Sequence, residues 1–134
     1  MINKIFVDTL FVVALINQRD QYYQLASELA DSLETHPLIT TDAVLLEIGN
    51  ALARNYKNEA VEIIEYFLTS DEMEVVRLTP ELFAKAFTLY KTHQDKAWGL
   101  VDCISFIVMK QAGVTQALTF DQHFVQAGFQ ALMR

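Results

Sequence analysis

Four carboxylates stand where ordinary surface charge is not expected. Asp8 closes the apolar run IFV, Asp102 is the only acid in WGLVDCISFIVM, Asp121 follows ALTF, and Glu47 lies between Val44 and Ala51 at the edge of an apolar helical stripe. Burying an ionised carboxylate is costly unless it is paired with a cation or coordinates a metal. Neighbours one helical turn away offer Glu47 and Asp102 no cation: Asn50 and Ala51 follow the first, and Trp98, Gly99, Ser105 and Phe106 flank the second. A shared divalent cation suits the set, and hard oxygen donors suit Mg²⁺ or Mn²⁺. Each acid also has an ordinary structural role open to it. Asp8 can start a turn, Glu47 can be solvated, Asp102 can serve the first turn of a helix beginning near Gly99, and Asp121 can cap a short helix.

The elements that must position these acids follow from hydrophobic spacing. Residues 3–7 form a buried strand that ends at Asp8. A short apolar segment runs to Ile16, and Asp20 then caps a helix with Leu25, Ala26, Leu29, Ala30 and Leu33 on one face, stopped by His36-Pro37. Leu38 to Thr40 is a second strand. Thr41 caps a helix in which Val44, Leu45, Ile48, Ala51 and Leu52 recur at helical spacing. A further helix carries Val61, Ile64, Phe67 and Leu68, and Glu74 to Leu78 is a third strand. Thr79-Pro80-Glu81 opens a helix expected to bury Phe83, Ala86, Phe87 and Tyr90. Trp98 to Met109 reads as a buried helix ended by Gly113. Thr115 to Thr119 is a fourth strand, followed by Asp121 and a turn of helix, and Phe129 to Leu132 is a final strand. Alternating strands and helices give an α/β fold of three layers, with a central, mostly parallel sheet of four or five strands. Ligands in such sheets collect beyond the carboxyl ends of the strands, where strand order reverses, and Asp8 and Asp121 both belong to that rim.

Composition narrows the function classes. The 134 residues, 52% hydrophobic and 20% charged with four Gly and two Pro, fit one domain over 1–134 with a core of its own. Cys103 is the lone cysteine, so a disulfide framework is excluded, and no apolar run approaches the roughly 18 residues of a membrane span. The chain therefore reads as cytoplasmic, with no membrane role. Ten Lys and Arg against 17 Asp and Glu, a net charge of −7, argue against nucleic-acid binding through bulk charge.

The segments IFVDTL, TTDAVLLEIGNAL, DKAWGLVDCISFIVM and ALTFDQHFVQAGF, taken in order, resemble the PIN domain family, and within it the VapC-type toxin ribonucleases. The resemblance covers nearly the whole chain. It implies an acidic site of Asp8, Glu47, Asp102 and Asp121, with Thr9, Asn50, Ser105 and Thr119 as polar support. It also implies Mg²⁺- or Mn²⁺-dependent RNA cleavage, a homodimer and control by a small cognate antitoxin, the chain being the toxin of a type II toxin-antitoxin pair. Within that picture Asp8 and Asp102 are the primary ligands, Asp121 a ligand or water-bridged partner, and Glu47 a ligand or water-orienting base. Arg54, one heptad beyond Glu47, and Lys96 can meet phosphates near the site, though solvated surface charge accounts for each as well.

Other readings fit less well. A haloacid-dehalogenase-like phosphatase needs a second Asp two residues after Asp8, where Leu10 stands, and a receiver domain needs an acidic pair there. No Gly-rich loop exists to cradle a nucleotide. The alternative is a catalytically silent PIN fold acting as a binding or regulatory module. Cys103 reads as a packed thiol. His36, His93 and His123 share no zinc-ligand spacing, although His123, two residues after Asp121, can orient a ligand. Tyr22, Tyr23 and Trp98 can stack on bases or fill core and interface. Surplus apolar residues on the helices Asp20–Leu33 and Lys57–Leu68 mark the expected dimer face.

Overall fold

The computed structural model describes residues 3–134. Its elements, in chain order, are β1 (Ile5–Val7), α1 (Thr9–Ile16), α2 (Tyr23–Ser32), β2 (Leu38–Thr41), α3 (Asp42–Leu52), α4 (Lys57–Thr69), β3 (Met73–Val76), α5 (Pro80–Thr92), α6 (Leu100–Ala112), β4 (Gln116–Leu118), α7 (Gln122–Gln126) and β5 (Gln130–Ala131). The five strands form one sheet in the order β3-β2-β1-β4-β5, parallel throughout. Right-handed crossovers then put α1 to α4 on one face and α5 to α7 on the other.

Strand alternation feeds both faces. Phe6 points to the α6–α7 side, where its ring lies 6.2 Å from Phe124, itself edge-on to Phe106 at 5.1 Å. Its neighbour Val7 points the other way, toward Phe11 of α1 and Phe67 of α4. Because both faces are covered, β1 reads as an unbroken apolar run, and all three of its residues are buried.

Local chemistry sets the ends. The Thr41 hydroxyl accepts from the Val44 amide at 3.1 Å, and the Thr79 hydroxyl accepts from Leu82 at 3.1 Å with Pro80 in the first turn. Gly113 ends α6 at φ 68°, a conformation that strains any residue with a Cβ. Asp20 does not cap α2 directly. Its carboxylate accepts from the Tyr22 amide at 2.8 Å and holds the turn before the helix, which begins at Tyr23. The apolar segment before Ile16 is a helix, α1, whose high overall hydrophobicity hides any amphipathic period.

One expectation is overturned. In α5 the buried residues are Leu82 and Ala86, whereas Phe83, Phe87 and Tyr90 remain 44%, 43% and 44% exposed. The stripe that α5 turns to α6 runs through Leu82, Ala86 and Leu89. Positions 83, 87 and 90 lie one residue round the helix and face outward. Spacing alone cannot choose between two adjacent apolar stripes on one helix.

Candidate active site

The rim at the carboxyl end of the sheet is built around the point where strand order reverses, between β1 and β4. β1 ends at Asp8, whose backbone N–H donates to Leu118 of β4 at 3.3 Å. Across the same gap the Thr119 hydroxyl donates to Asp8 Oδ2 at 2.8 Å, and Thr119 Oγ1 in turn accepts from the Asp121 amide at 3.1 Å. One buried hydroxyl thus couples the ends of the two central strands. α1 starts directly after Asp8, so Thr9 reaches the first turn, where its hydroxyl donates to Glu47 Oε1 at 2.7 Å.

Asp102 and Asp121 fill the ordinary roles open to them and also come together around one histidine. Asp102 Oδ2 accepts from the Gly99 amide at 2.9 Å at the start of α6. Asp121 Oδ1 accepts from the His123 amide at 2.9 Å and caps α7. These bonds fix both carboxylates in place without neutralising them. Between them lies His123, whose Nδ1 is 3.1 Å from Asp102 Oδ2 and 3.4 Å from Asp121 Oδ1. Ligand-capable atoms of Asp102, Asp121 and His123 all fall within 4.8 Å of one another.

The electrostatics are those of a crowded anionic pocket. Asp8, only 6% exposed, is pushed up to about 7, first by burial and further by the charges of Asp102 and Glu47, against the opposing hydrogen bond from Thr119. Glu47 is raised above the ordinary carboxylate range by burial and by Asp102, with the Thr9 hydroxyl opposing. Asp8, Glu47 and Asp102 therefore feel one another's charge. Among the described residues no Lys or Arg forms an ion pair with any of the four acids.

The supporting residues divide. Thr9 and Thr119 each bond a site acid. Buried Ser105 donates to the Val101 carbonyl at 3.1 Å within α6, and Asn50 is exposed one turn beyond Glu47. His123 is the residue that sequence reasoning left at the margin. Its spacing of two from Asp121 was the available signal, but its contact with Asp102, 21 residues away, exists only in the fold. The aromatics resolve toward packing: Tyr22 stacks on Phe120 at 3.9 Å, and Trp98 is buried edge-on against Phe106 at 5.2 Å. Burial pushes the Cys103 thiol up to about 11, which leaves it protonated and inert.

The donor set fits a hard divalent cation. Asp102, Asp121 and His123 form the compact group, Asp8 and Glu47 stand outside it yet feel the Asp102 charge, no Lys or Arg pairs with any of the four acids, and hydrogen bonds from Thr119, Gly99 and the His123 amide orient Asp8, Asp102 and Asp121. No helix among the described residues is long and apolar enough to cross a membrane.

Comparison with known proteins agrees with this architecture. The 23S rRNA-specific endonuclease VapC20 of Mycobacterium tuberculosis is 32% identical over 125 residues, covering 93% of this chain and 95% of that protein. A VapC ribonuclease of Aquifex aeolicus is 23% identical over 130 residues, covering 94% and 93%. The crystal structure of VapC20, described as a sarcin-ricin loop cleaving toxin, superposes with a TM-score of 0.85 at 31% identity, covering 94% of this chain and 96% of that one. FitAcB from Neisseria gonorrhoeae, 17% identical over 95% and 94% of the two chains, shares the fold at a TM-score of 0.62. The profile of the PIN domain matches residues 5–130, nearly the full span from β1 to β5, and the chain belongs to the PIN domain family.

Proposed function

We propose that this chain is a divalent-metal-dependent endoribonuclease, the toxin of a type II toxin-antitoxin pair, with Asp8, Glu47, Asp102 and Asp121 as its site. The observation that carries the reading is the compact group of Asp102, Asp121 and His123, beside Asp8 and Glu47 on the same rim, with no Lys or Arg partner for any of the four acids. The VapC relatives supply the substrate class. The silent-module alternative is disfavoured because all four acids are present and oriented.

Asp8, Asp102 and Asp121 are the residues placed to hold the cation, with His123 able to add a nitrogen donor or to orient the two acids it touches. A Mg²⁺ or Mn²⁺ ion bound there supplies charge neutralisation at the phosphate and lowers the pKa of water. Glu47 is the base. Its raised pKa brings it nearer the operating pH, and the Thr9 hydroxyl holds one oxygen, leaving the other to take a proton from the attacking water. Water oxygen adds to phosphorus as the bond to the leaving oxygen breaks, and that oxygen takes up a proton from solvent to leave as the alcohol. Thr119 fixes Asp8 so that its charge does not swing away from the site.

The sarcin-ricin stem-loop of 23S rRNA is the first substrate to try, since the VapC20 relative acts there, with total RNA as the broader assay. Cleavage in Mg²⁺ or Mn²⁺ that stops in chelator and in the Asp8→Asn/Asp102→Asn double variant supports the assignment. Undiminished cleavage by that double variant refutes it. Co-expression with the product of a neighbouring small reading frame tests antitoxin control, and light scattering at micromolar concentration tests the proposed homodimer.

A further inference from the structure

His123 brings an imidazole to a rim of carboxylates, and the fold pins it there. Its neighbour Phe124 is fully buried, with its ring 5.1 Å from Phe106 of α6, edge-on, and 6.2 Å from Phe6 of β1. The Asp121 carboxylate accepts from the His123 amide at 2.9 Å, which fixes the backbone of the first turn of α7. A helical side chain leans toward the N-terminus of its helix, so the imidazole turns back over Asp121 and reaches the start of α6. There Nδ1 lies 3.1 Å from Asp102 Oδ2 and 3.4 Å from Asp121 Oδ1.

These separations suit shared ligation. Bonds of about 2.1 Å put adjacent donors of an octahedron about 3.0 Å apart, and both nitrogen–oxygen distances stand close to that edge. The two carboxylate oxygens fall within 4.8 Å of each other and of the nitrogen. Backbone amides of Gly99 and His123 each occupy one position on these oxygens and leave the rest of their acceptor capacity free. Nε2 of His123 has no hydrogen-bond partner among the described residues. The neutral ring can therefore keep its proton on Nε2 and offer the Nδ1 lone pair to a cation. The other histidines are engaged elsewhere: His36 Nε2 lies 2.8 Å from the Asn3 carbonyl, and His93 Nδ1 lies 3.0 Å from the Leu89 carbonyl.

We propose that Nδ1 of His123 is a direct ligand of the cation, beside Asp102 and Asp121, and that it makes the site prefer Mn²⁺ to Mg²⁺. The proposal rests on the ribonuclease reading above for the presence of a cation and deepens it by assigning which cation the site selects. An all-carboxylate site is open to either ion. Mg²⁺ keeps to oxygen donors and its own waters, whereas a transition-metal ion accepts imidazole readily, so one nitrogen in the set favours Mn²⁺. The rival arrangement keeps His123 off the cation, with its N–H only orienting the two acids. Removing the ring would then weaken both ions alike.

The test is electron paramagnetic resonance of Mn²⁺ bound to the full chain, without RNA. Spin-echo modulation detects a nitrogen bonded to the ion, and titration of the free-ion signal, with Mg²⁺ as competitor, gives both affinities. The parent should show nitrogen coupling that vanishes in His123→Gln. That variant should bind Mn²⁺ at least about tenfold more weakly and Mg²⁺ within about threefold of the parent. Bound Mn²⁺ without nitrogen coupling overturns the proposal, as does an equal loss of the two ions in His123→Gln, or a parent that binds no Mn²⁺ at millimolar concentration. If His123→Gln does not fold, the parent labelled with nitrogen-15 histidine decides: unshifted coupling frequencies overturn the proposal. So does loss of the coupling in His36→Gln/His93→Gln, which should retain it. Metal is read without RNA, so the two readings separate. A chain that binds Mn²⁺ through nitrogen yet cuts no RNA with any metal refutes the ribonuclease reading and leaves the ligand. A chain whose cleavage stops in chelator but whose bound Mn²⁺ shows no nitrogen coupling refutes the ligand and leaves the nuclease.

Discussion

The acidic rim and the outer face of α5 break the rules of burial in opposite senses. At the rim Asp8 is buried and Glu47 partly so, without Lys or Arg. On α5 three aromatic side chains stay more than 40% exposed beside lysines. Elsewhere Thr40 is the ordinary case: fully buried, and satisfied by donating to the Val7 carbonyl at 2.8 Å. The difference teaches that neither region is arranged for stability of the free chain. A buried carboxylate set that repels itself and aromatic rings left in water both gain only from something that binds.

The largest expected effect breaks the rim. Asp8→Asn or Asp102→Asn should lower RNA cleavage on the order of 10²–10³-fold, the usual loss when one preorganised electrostatic element is removed, whereas Phe87→Ser should leave the acid site's geometry intact. Cleavage rates at saturating metal, with circular dichroism confirming the fold, provide the check.

The second effect is on stability against pH. Below the ordinary Asp value of 3.8 both folded and unfolded chains hold the Asp8 proton. Between 3.8 and about 7 only the folded chain holds it, so the contribution of Asp8 declines as pH rises and is gone above about 7. The rise in pKa corresponds to on the order of 4 kcal/mol, and the raised Glu47 acts in the same direction. In chelator the wild type should therefore lose stability relative to Asp8→Asn from pH 4 to 8. Millimolar Mg²⁺ should return several degrees of melting temperature at pH 8 to the wild type alone. Parallel melting curves for the two proteins across that range would contradict the account.

A smaller effect probes orientation. Thr119→Val keeps the shape and removes the hydroxyl shared by Asp8 and Asp121, so cleavage should fall about 10–100-fold. Thr119→Ser should restore most of it, a rescue that a purely packing role would not produce. The smallest effect sharpens the contrast between faces. Phe87→Ser should cost less than about 1 kcal/mol, since the side chain already meets water, whereas Phe6→Ala, fully buried, should cost roughly 3–5 kcal/mol. Urea titrations of the two variants make the comparison.

Much of this molecule is local and was therefore legible. The β1 run, the caps at Thr41 and Thr79, the stop at Gly113 and the acids that interrupt apolar segments are short-range patterns, and each reports its own element. What escaped depended on neighbours. The outward turn of α5 followed from which of two adjacent stripes meets α6, and the helical state of α1 was hidden by its uniform hydrophobicity. The tie of His123 to Asp102 required α7 to pack beside the start of α6.

The sequence by itself determined the alternation of strands and helices, the three Asp near element ends and the Glu on the edge of a helical stripe, because those depend on residue type and spacing along one chain. Tertiary structure alone decided that Thr119 would hold Asp8 across 111 positions, that Thr9 would hold Glu47 across 38, and that His123 would sit between two carboxylates. Such contacts are set by strand order and helix packing, which place the ends of separate elements on one rim, and no spacing within a single element records them.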